Sequence, residues 1–141
     1  MIDPISIIEA FLVAEHNRDW DTIAKHIDDN IEYQVVGSEK MIKGKIAYLE
    51  NMNRIYRELL DWKFEIRNIA ADHNTVFVEF DGQGHFTGEY KGKVYTDIQL
   101  RLPAVCIFTV NNGKIIRERE YWDPVSFEKQ LLSNSDSSIK N

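Results

Sequence analysis

The sequence predicts an α+β fold in which a strongly curved β-sheet wraps around three N-terminal helices. Apolar residues recur at helical spacing in three segments of the first 60 residues, interrupted by the alternating, β-rich segment 30–37. From residue 62 onward the apolar residues instead alternate with polar ones, as in strands that bury one face. Because the helices precede a run of long antiparallel strands, the sheet is expected to curl around them.

Each predicted helix has a start signal and an apolar face. Asp3 is the expected N-cap of the first helix with Pro4 in its first turn, and Asp19 caps a shorter second helix. A polar turn that ends at Gly44 precedes the longer third helix. The residues expected to face inward are Ile7, Ile8, Phe11, Leu12 and Ala14 in the first helix, Trp20, Ile23, Ala24 and Ile27 in the second, and Ile46, Leu49, Met52, Ile55, Tyr56, Leu59 and Leu60 in the third.

Four long strands are predicted in the second half of the chain. Asn112–Gly113 is a typical tight-turn pair between the last two of them. Gly82, Gly84 and Pro103 lie in mid-strand, where a bend of the sheet is the expected reason for them. The strands are predicted over residues 62–72, 74–88, 94–110 and 114–123.

The second and third of these strands each present one polar face. Their apolar residues, such as Val78, Phe80 and Phe86, are expected to face the core. The opposite face, which also carries Phe77, is predicted to be solvated or to pair with a second copy of the chain, giving a homodimer through the sheet. Its polar residues are Asp81, Gln83, His85, Asp97, Gln99 and Arg101.

Length and composition restrict the class of protein. The 141 residues predict one domain over residues 1–132 and a disordered polar tail over 133–141. A net charge of −6 without a basic cluster argues against nucleic acid and membrane surfaces as partners. The chain shows no signal peptide, no apolar run of membrane-spanning length and one cysteine, Cys106, so a cytoplasmic location is expected. The four scattered histidines predict no metal site.

Four segments carry a resemblance to a known superfamily. They are HNRDWDTIAKHIDDNIEY (16–33), GKIAYLENM (44–52), GQGHFTGEYKG (82–92) and NGKIIREREYWD (112–123). The chain resembles the nuclear transport factor 2-like superfamily, and within it the SnoaL-like and ketosteroid isomerase-like domains. This resemblance implies a conical fold with a curved mixed or antiparallel sheet, a pocket inside the cone, and a dimer. It implies no single activity, because the fold serves many chemistries.

The catalytic positions of ketosteroid isomerase are replaced in this chain. The resemblance places its general base at or near Val35 and its two oxyanion donors at Phe11 and Cys106. Valine and phenylalanine neither take nor give a proton, and a thiol is a poor donor. Ketosteroid isomerisation by that mechanism is therefore not expected.

The epoxide hydrolases of the superfamily are matched in part. They carry an Arg and an Asp two residues apart on a strand, and these positions are Phe80 and Gly82 in this chain. Tyr33 matches their pocket tyrosine, whereas Val35 replaces an asparagine of that group. The resemblance alone therefore does not imply epoxide hydrolysis.

Glu120 is the candidate catalytic residue. It stands seven residues after Gly113, where epoxide hydrolases and many SnoaL-like sequences carry an acid. Burial would raise its pKa and suit it to proton transfer, while a structural ion pair or a solvent-facing position are the alternatives. Glu118, nearer the hairpin, is expected to be solvated. On this reading the inward set of the last strand is Ile116, Glu118, Glu120 and Trp122, with Arg117 and Arg119 outside.

Five further residues are predicted to line a ligand pocket beside Glu120. Their aromatic members could equally fill the core, and Cys106 is interpreted as a small buried hydrophobe. The five are Tyr33, Phe80, Phe86, Cys106 and Trp122.

Two other residues, His85 and Asp123, could also lie at the site. His85 would enter the pocket if a bulge at Gly82 or Gly84 changed the parity of its strand, and it could then pair with the candidate carboxylate. Asp123 could lie at the site, but its simplest role is to cap a C-terminal helix that begins at Pro124.

Three function classes remain open at this point. The first is an enzyme without cofactor, of the isomerase, cyclase, hydrolase or dehydratase type, which performs acid–base chemistry at Glu120 on a small apolar or aromatic molecule. The second is a ligand-binding protein without turnover. The third is a dimerisation domain whose cone is merely core. A cavity of roughly 300 Å³ or more with Glu120 in its wall would favour the first two.

Overall fold

Four helices and six strands follow one another in residues 3–139, the part of the chain that the computed structural model describes, with side chains through residue 135. Within this range no helix combines the length and the apolar character needed to cross a bilayer. The elements are α1 (Pro4–His16), α2 (Trp20–His26), β1 (Ile27–Val35), β2 (Met41–Lys43), α3 (Lys45–Glu58), β3 (Lys63–Asp72), β4 (Thr75–Tyr90), β5 (Lys93–Asn111), β6 (Lys114–Trp122) and α4 (Pro124–Ile139).

The six strands form one curled sheet in the order β2-β1-β6-β5-β4-β3. β1 and β6 run parallel, and all other neighbouring strands are antiparallel. Helices α1 to α3 pack into the concave side, which confirms the predicted α+β fold. The sequence analysis missed β2, because a three-residue strand is too short to show a period.

The helix starts confirm the predicted capping residues. The side chain of Asp3 accepts a hydrogen bond from the backbone N–H of Ile5 at 3.2 Å, with Pro4 in the first turn. Asp19 accepts one from the backbone of Thr22, also at 3.2 Å. These bonds satisfy amide groups that have no partner within a helix.

Two apolar clusters hold the fold together. The larger one lies between α1, α2, α3 and the sheet, and there Phe11 and Phe108 meet edge to face with their ring centroids 5.8 Å apart. The smaller one lies beneath α4, where Phe127 and Leu131 pack on the inner face of the first half of β5. Side chains of both clusters meet at the space between them, which positions the site described below.

A β-bulge in β6 corrects one prediction about its inward face. The pairing with β5 shifts between Thr109 and Val110, so the alternation of β6 slips by one residue near its start. Ile115 is therefore the fully buried residue, and Ile116, which was predicted to face inward, is only partly buried. Beyond the bulge, Arg117 and Arg119 are exposed as predicted.

Helix α4 covers an edge that β6 leaves open on β5. The last β6 residue pairs with Ala104, so the earlier part of β5 has no strand neighbour on that side. The Gln130 side chain bonds to both backbone groups of Arg101, at 2.7 and 2.8 Å, and Asn134 donates to the carbonyl of Gln99. These contacts hold the middle of α4 on β5, and α4 continues to Ile139, while residues 140–141 lie outside the described range. The disorder of the polar tail 133–141 stays a prediction.

The outer face of the sheet carries the polar set that the sequence indicated. Gln99 and Arg101 are exposed, and Asp81 is bound to Arg67 with an N–O distance of 2.6 Å. Phe77 is 40% exposed among these polar side chains. A homodimer formed through this face stays a prediction.

Gly82 and Gly84 lie on β4 where Trp62 packs against the strand. A Cβ atom at Gly82 would lie 2.1 Å from the indole Cζ2 of Trp62, and one at Gly84 would lie 3.0 Å from the Trp62 backbone and from Asp61. Trp62 can therefore pack this closely only because both residues lack a side chain. This is a second reason for the two glycines, in addition to the bend of the sheet that the sequence predicts.

Gly82→Ala is expected to destabilise the fold by about 1–3 kcal/mol, because the new methyl group overlaps a packed indole ring. Gly84→Ala should cost less, since its closest contacts are longer. Urea unfolding followed by tryptophan fluorescence would measure both variants. A Gly82 variant as stable as wild type would contradict this packing.

Candidate active site

A cavity of about 460 Å³ lies between the helices and the inner face of the sheet. Apolar and aromatic side chains form most of its wall, and carboxyl groups project into one side. Of the predicted pocket residues, the structure places Tyr33, Phe80, Phe86 and Trp122 in this wall. The size and lining are typical of sites for small organic molecules.

Glu120 reaches the cavity from β6, two residues before the strand ends. Its carboxylate accepts a hydrogen bond from the hydroxyl of Tyr33 on β1 at 3.1 Å and lies 3.9 Å from the Cys106 thiol. Burial raises the pKa of Glu120 above its ordinary value, and the two hydrogen bonds oppose that shift only in part. The cavity wall therefore holds a carboxyl group that is oriented and easier to protonate than one in water.

Glu118 is buried, so the prediction that it is solvated was wrong. Its side chain is 5% exposed, and the carboxylate accepts a hydrogen bond from Tyr48 on α3 at 2.6 Å. Strand parity had already placed Glu118 on the inward face; there Tyr48 of α3 meets the carboxylate and excludes solvent from it, which is the physical reason for the difference. Burial, followed by the nearby carboxylates of Glu15 and Glu120, raises the pKa of Glu118 well above its ordinary value.

The sequence analysis did not identify Glu15, one of three further glutamates in the cavity lining beside Glu58 and Glu89. It accepts a short hydrogen bond from the hydroxyl of Tyr56 on α3. Burial raises the pKa of Glu15 to about 7; the Tyr56 bond and the charge of Arg18 act against this shift, and the charge of Glu120 adds to it. A signal was present, since Glu15 follows Phe11 by four residues and therefore lies on the apolar stripe of α1.

Each of the three carboxyl groups thus has one tyrosine partner, and we call them the glutamate–tyrosine pairs. Among the described residues no lysine, arginine or histidine forms an ion pair with any of the three. Burial raises the pKa of each tyrosine, so the phenols stay protonated and act as donors. The pairs are Glu15–Tyr56, Glu118–Tyr48 and Glu120–Tyr33.

Three other candidates from the sequence do not line the cavity. Cys106 lies behind the wall, where its thiol contacts both β6 glutamates and burial raises its pKa well above the ordinary value. His85 lies on the outer face of the sheet, because no bulge at the two glycines changes its parity, and its Nδ1 lies 2.6 Å from Asp61. Asp123 caps α4 by accepting a hydrogen bond from the backbone of Val125 at 2.9 Å.

One group in residues 3–135 has spacing that could hold a metal ion. The ligand atoms of Cys106, Glu118 and Glu120 lie within 4.8 Å of one another. All three groups have raised pKa values, so metal binding would have to displace protons that burial favours. The absence of a metal site stays a prediction.

Comparison with known proteins identifies the family. A model of the SnoaL-like polyketide cyclase family matches residues 6–131. The chain belongs to this family. Its SnoaL-like fold is shared with a protein from Shewanella denitrificans OS-217 of known structure, with a TM-score of 0.83 at 16% identity over 92% of this chain and 97% of the other. The resemblance inferred from the sequence is thereby confirmed.

Two curated proteins are similar to this SnoaL-like chain. Epoxide hydrolase EphG of Mycobacterium tuberculosis is 25% identical over 125 residues, which cover 89% of this chain and 76% of EphG. The uncharacterized protein YesE of Bacillus subtilis is 28% identical over 95 residues, or 66% of this chain. The match spans 60% of the length of YesE, less than two thirds of that relative.

Proposed function

We propose that this SnoaL-like protein is an enzyme that transfers protons on a small, largely apolar organic molecule held in the cavity, with Glu120 as the general base or acid and without a cofactor. The observation that carries the proposal is the Glu120 carboxyl in the wall of a 460 Å³ cavity, where it is bonded to Tyr33 and forms no ion pair with a lysine, arginine or histidine of the described residues. A general base or acid is most effective when its pKa lies near the working pH, and burial moves Glu120 in that direction.

The lining supports a neutral substrate. Aromatic and apolar side chains such as Phe80, Phe86 and Trp122 offer no charge to a ligand. The lining also includes Lys40 and Arg54, of which Arg54 is paired with Glu58, whereas the carboxyl groups of Glu15, Glu118 and Glu120 would repel an anion when ionised. A neutral apolar or aromatic molecule with at least one polar atom fits both features.

The reaction type is proposed only as far as proton transfer. Similarity to EphG favours hydrolysis of an epoxide, yet the positions that the resemblance assigns to an Arg and an Asp are Phe80 and Gly82 here. Hydrolysis in this chain would therefore depend on other residues. Isomerisation, cyclisation, hydrolysis and dehydration all include a proton transfer that Glu120 could perform.

A ligand-binding protein without turnover is the second candidate. Three of the cavity glutamates, Glu15, Glu118 and Glu120, already accept a hydrogen bond from a tyrosine, and buried carboxyl groups with a purely structural role need such partners too. This candidate predicts saturable binding of a neutral ligand with no chemical change.

Two probe reactions would separate the candidates. 2-Indanone in D₂O reports removal of a proton next to a carbonyl, as deuterium incorporation seen by NMR, and styrene oxide reports hydration by diol formation. We expect wild-type protein to accelerate at least one of them above the buffer rate. Saturable binding of both probes without acceleration of either would instead support the ligand-binding candidate.

A further inference from the structure

Glu15 shares the cavity with Glu120 but reaches it from a different element. Glu120 projects from the sheet, whereas Glu15 projects from the last turns of α1. Both side chains are partly exposed, and both line the cavity. Glu118 is the most deeply buried of the three and is bonded to Tyr48 at 2.6 Å, so it is the least accessible to a ligand.

We infer that Glu15 is a second catalytic residue of this cavity, a proton donor that works together with Glu120 on the same neutral substrate. The inference rests on the proposed function and adds to it a residue outside the sheet. The substrate class that follows is a neutral molecule with an acidic hydrogen at one position and an oxygen that accepts a proton at another.

The structure holds Glu15 in one orientation. Tyr56 donates its hydroxyl hydrogen to the Glu15 carboxylate, and the guanidinium of Arg18 lies 3.7 Å from the centroid of the Tyr56 ring. Arg18 also donates to the backbone carbonyls of Glu15 at 2.8 Å and of Trp62 at 2.9 Å. This contact set fixes the end of α1 against the turn before β3, as a preorganised proton donor requires.

The charges around Glu15 assign the two roles. The charge of Glu120 is one cause of the raised pKa of Glu15, so ionisation of Glu120 favours the protonated form of Glu15. Glu120 is then the base and Glu15 the acid, a division that two carboxyl groups in different surroundings can achieve. The groups that act on Glu15 are Tyr48 and Tyr56 from α3, Glu118 and Glu120 from β6, Cys106 from β5, and Arg18.

The substrate loses one proton and gains one proton in this step. The ionised Glu120 removes one proton from the substrate, and the protonated Glu15 gives one proton to the substrate oxygen. The substrate keeps its composition, so the class of reaction is a rearrangement. Afterwards Glu120 carries the proton and Glu15 the charge, and exchange with solvent restores the starting state.

The pair can be tested without a ligand by NMR titration of protein labelled with ¹³C at the glutamate carboxyl carbons. Loss of one signal in Glu15→Gln assigns Glu15. We expect its midpoint near pH 7 in wild type and a downward shift in Glu120→Gln, because a neighbouring negative charge is removed. Glu9→Gln, an exposed change on the same helix, should leave the midpoint unchanged. A Glu15 midpoint that does not move in Glu120→Gln would overturn the pair.

The catalytic part is tested with 2-indanone and deuterium exchange. The wild-type rate should fall above neutral pH, where Glu15 loses its proton. Glu15→Gln should lower the rate by on the order of 10²-fold and abolish this pH dependence, while Glu9→Gln changes neither the rate nor the pH dependence. Failure of the proposed enzymatic function and failure of the role of Glu15 would give different results. A coupled pair in a protein that turns over neither 2-indanone nor styrene oxide would refute the enzyme, whereas exchange with a wild-type pH profile in Glu15→Gln would refute only the role of Glu15.

Discussion

Glu120→Gln is expected to lower the rate of any proton-transfer reaction in the cavity by on the order of 10²-fold or more, with the fold intact. Glutamine keeps the shape of the side chain, and its amide oxygen can still accept the hydrogen bond from Tyr33. The substitution removes the titratable carboxyl group, which is the group that accepts and returns the proton. Initial rates with 2-indanone or styrene oxide, compared at equal protein concentration, would measure the loss.

The matched control is Glu79→Gln. Glu79 lies on β4, is exposed, and bonds to Asn68 on the outer face at 2.6 Å, so the same chemical change occurs outside the cavity. Its rate should equal that of wild type. An unaltered rate in Glu120→Gln would end the catalytic role of Glu120, and circular dichroism would show whether either variant had lost its fold.

Glu15→Gln is expected to make the protein more stable at pH 8 by on the order of 3 kcal/mol, because the pKa of Glu15 rises from 4.5 to about 7 in the folded state. The folded state holds this proton more tightly than the unfolded chain. Below pH 4.5 Glu15 is protonated in both states and costs nothing, and the cost grows as the pH rises from 4.5 to 7. Above 7 the carboxylate is ionised in both states, and the full penalty of burying it remains.

Urea unfolding at several pH values between 4 and 8.5 would measure this effect. The difference in unfolding free energy between Glu15→Gln and wild type should be near zero at the acidic end and largest above pH 7. Glu9→Gln provides the control, since Glu9 is exposed on the opposite face of α1. A difference that does not vary with pH would mean that folding does not raise the pKa of Glu15. A gain of stability together with a loss of rate is the pattern expected of a functional site.

Periodicity was enough to predict the long elements, but neither the three-residue β2 nor the order of the strands in the sheet. The caps Asp3 and Asp19 and the change from helical to alternating spacing near residue 62 predicted three helices and a curled sheet. Nothing in the local pattern indicates that β1 lies beside β6, because that neighbour comes from the far end of the chain. The contacts of α4 are long-range in the same way, since the partners of Gln130 and Asn134 lie on β5.

The candidate site was predicted in part. The family resemblance, which implies an acid seven residues after Gly113, identified Glu120, and its cavity position agrees with that expectation. Glu118 and Glu15 were missed, because hydropathy assigns a glutamate to the surface unless a partner for it is known. Those partners are Tyr48 and Tyr56, which are 70 and 41 residues distant in the sequence. Acids on an otherwise apolar face are the signal that sequence reasoning can use.

The parallel contact between β1 and β6 also determines when the site can form during synthesis. Tyr33 and Glu120 are 87 residues apart, and β6 is the last strand to leave the ribosome. Until then one long edge of β1 has no neighbour in the sheet, and an unpaired edge is prone to bind another chain. Contacts of such sequence separation form slowly, because a long loop must close first. The cavity wall therefore cannot be complete until β6 has been translated.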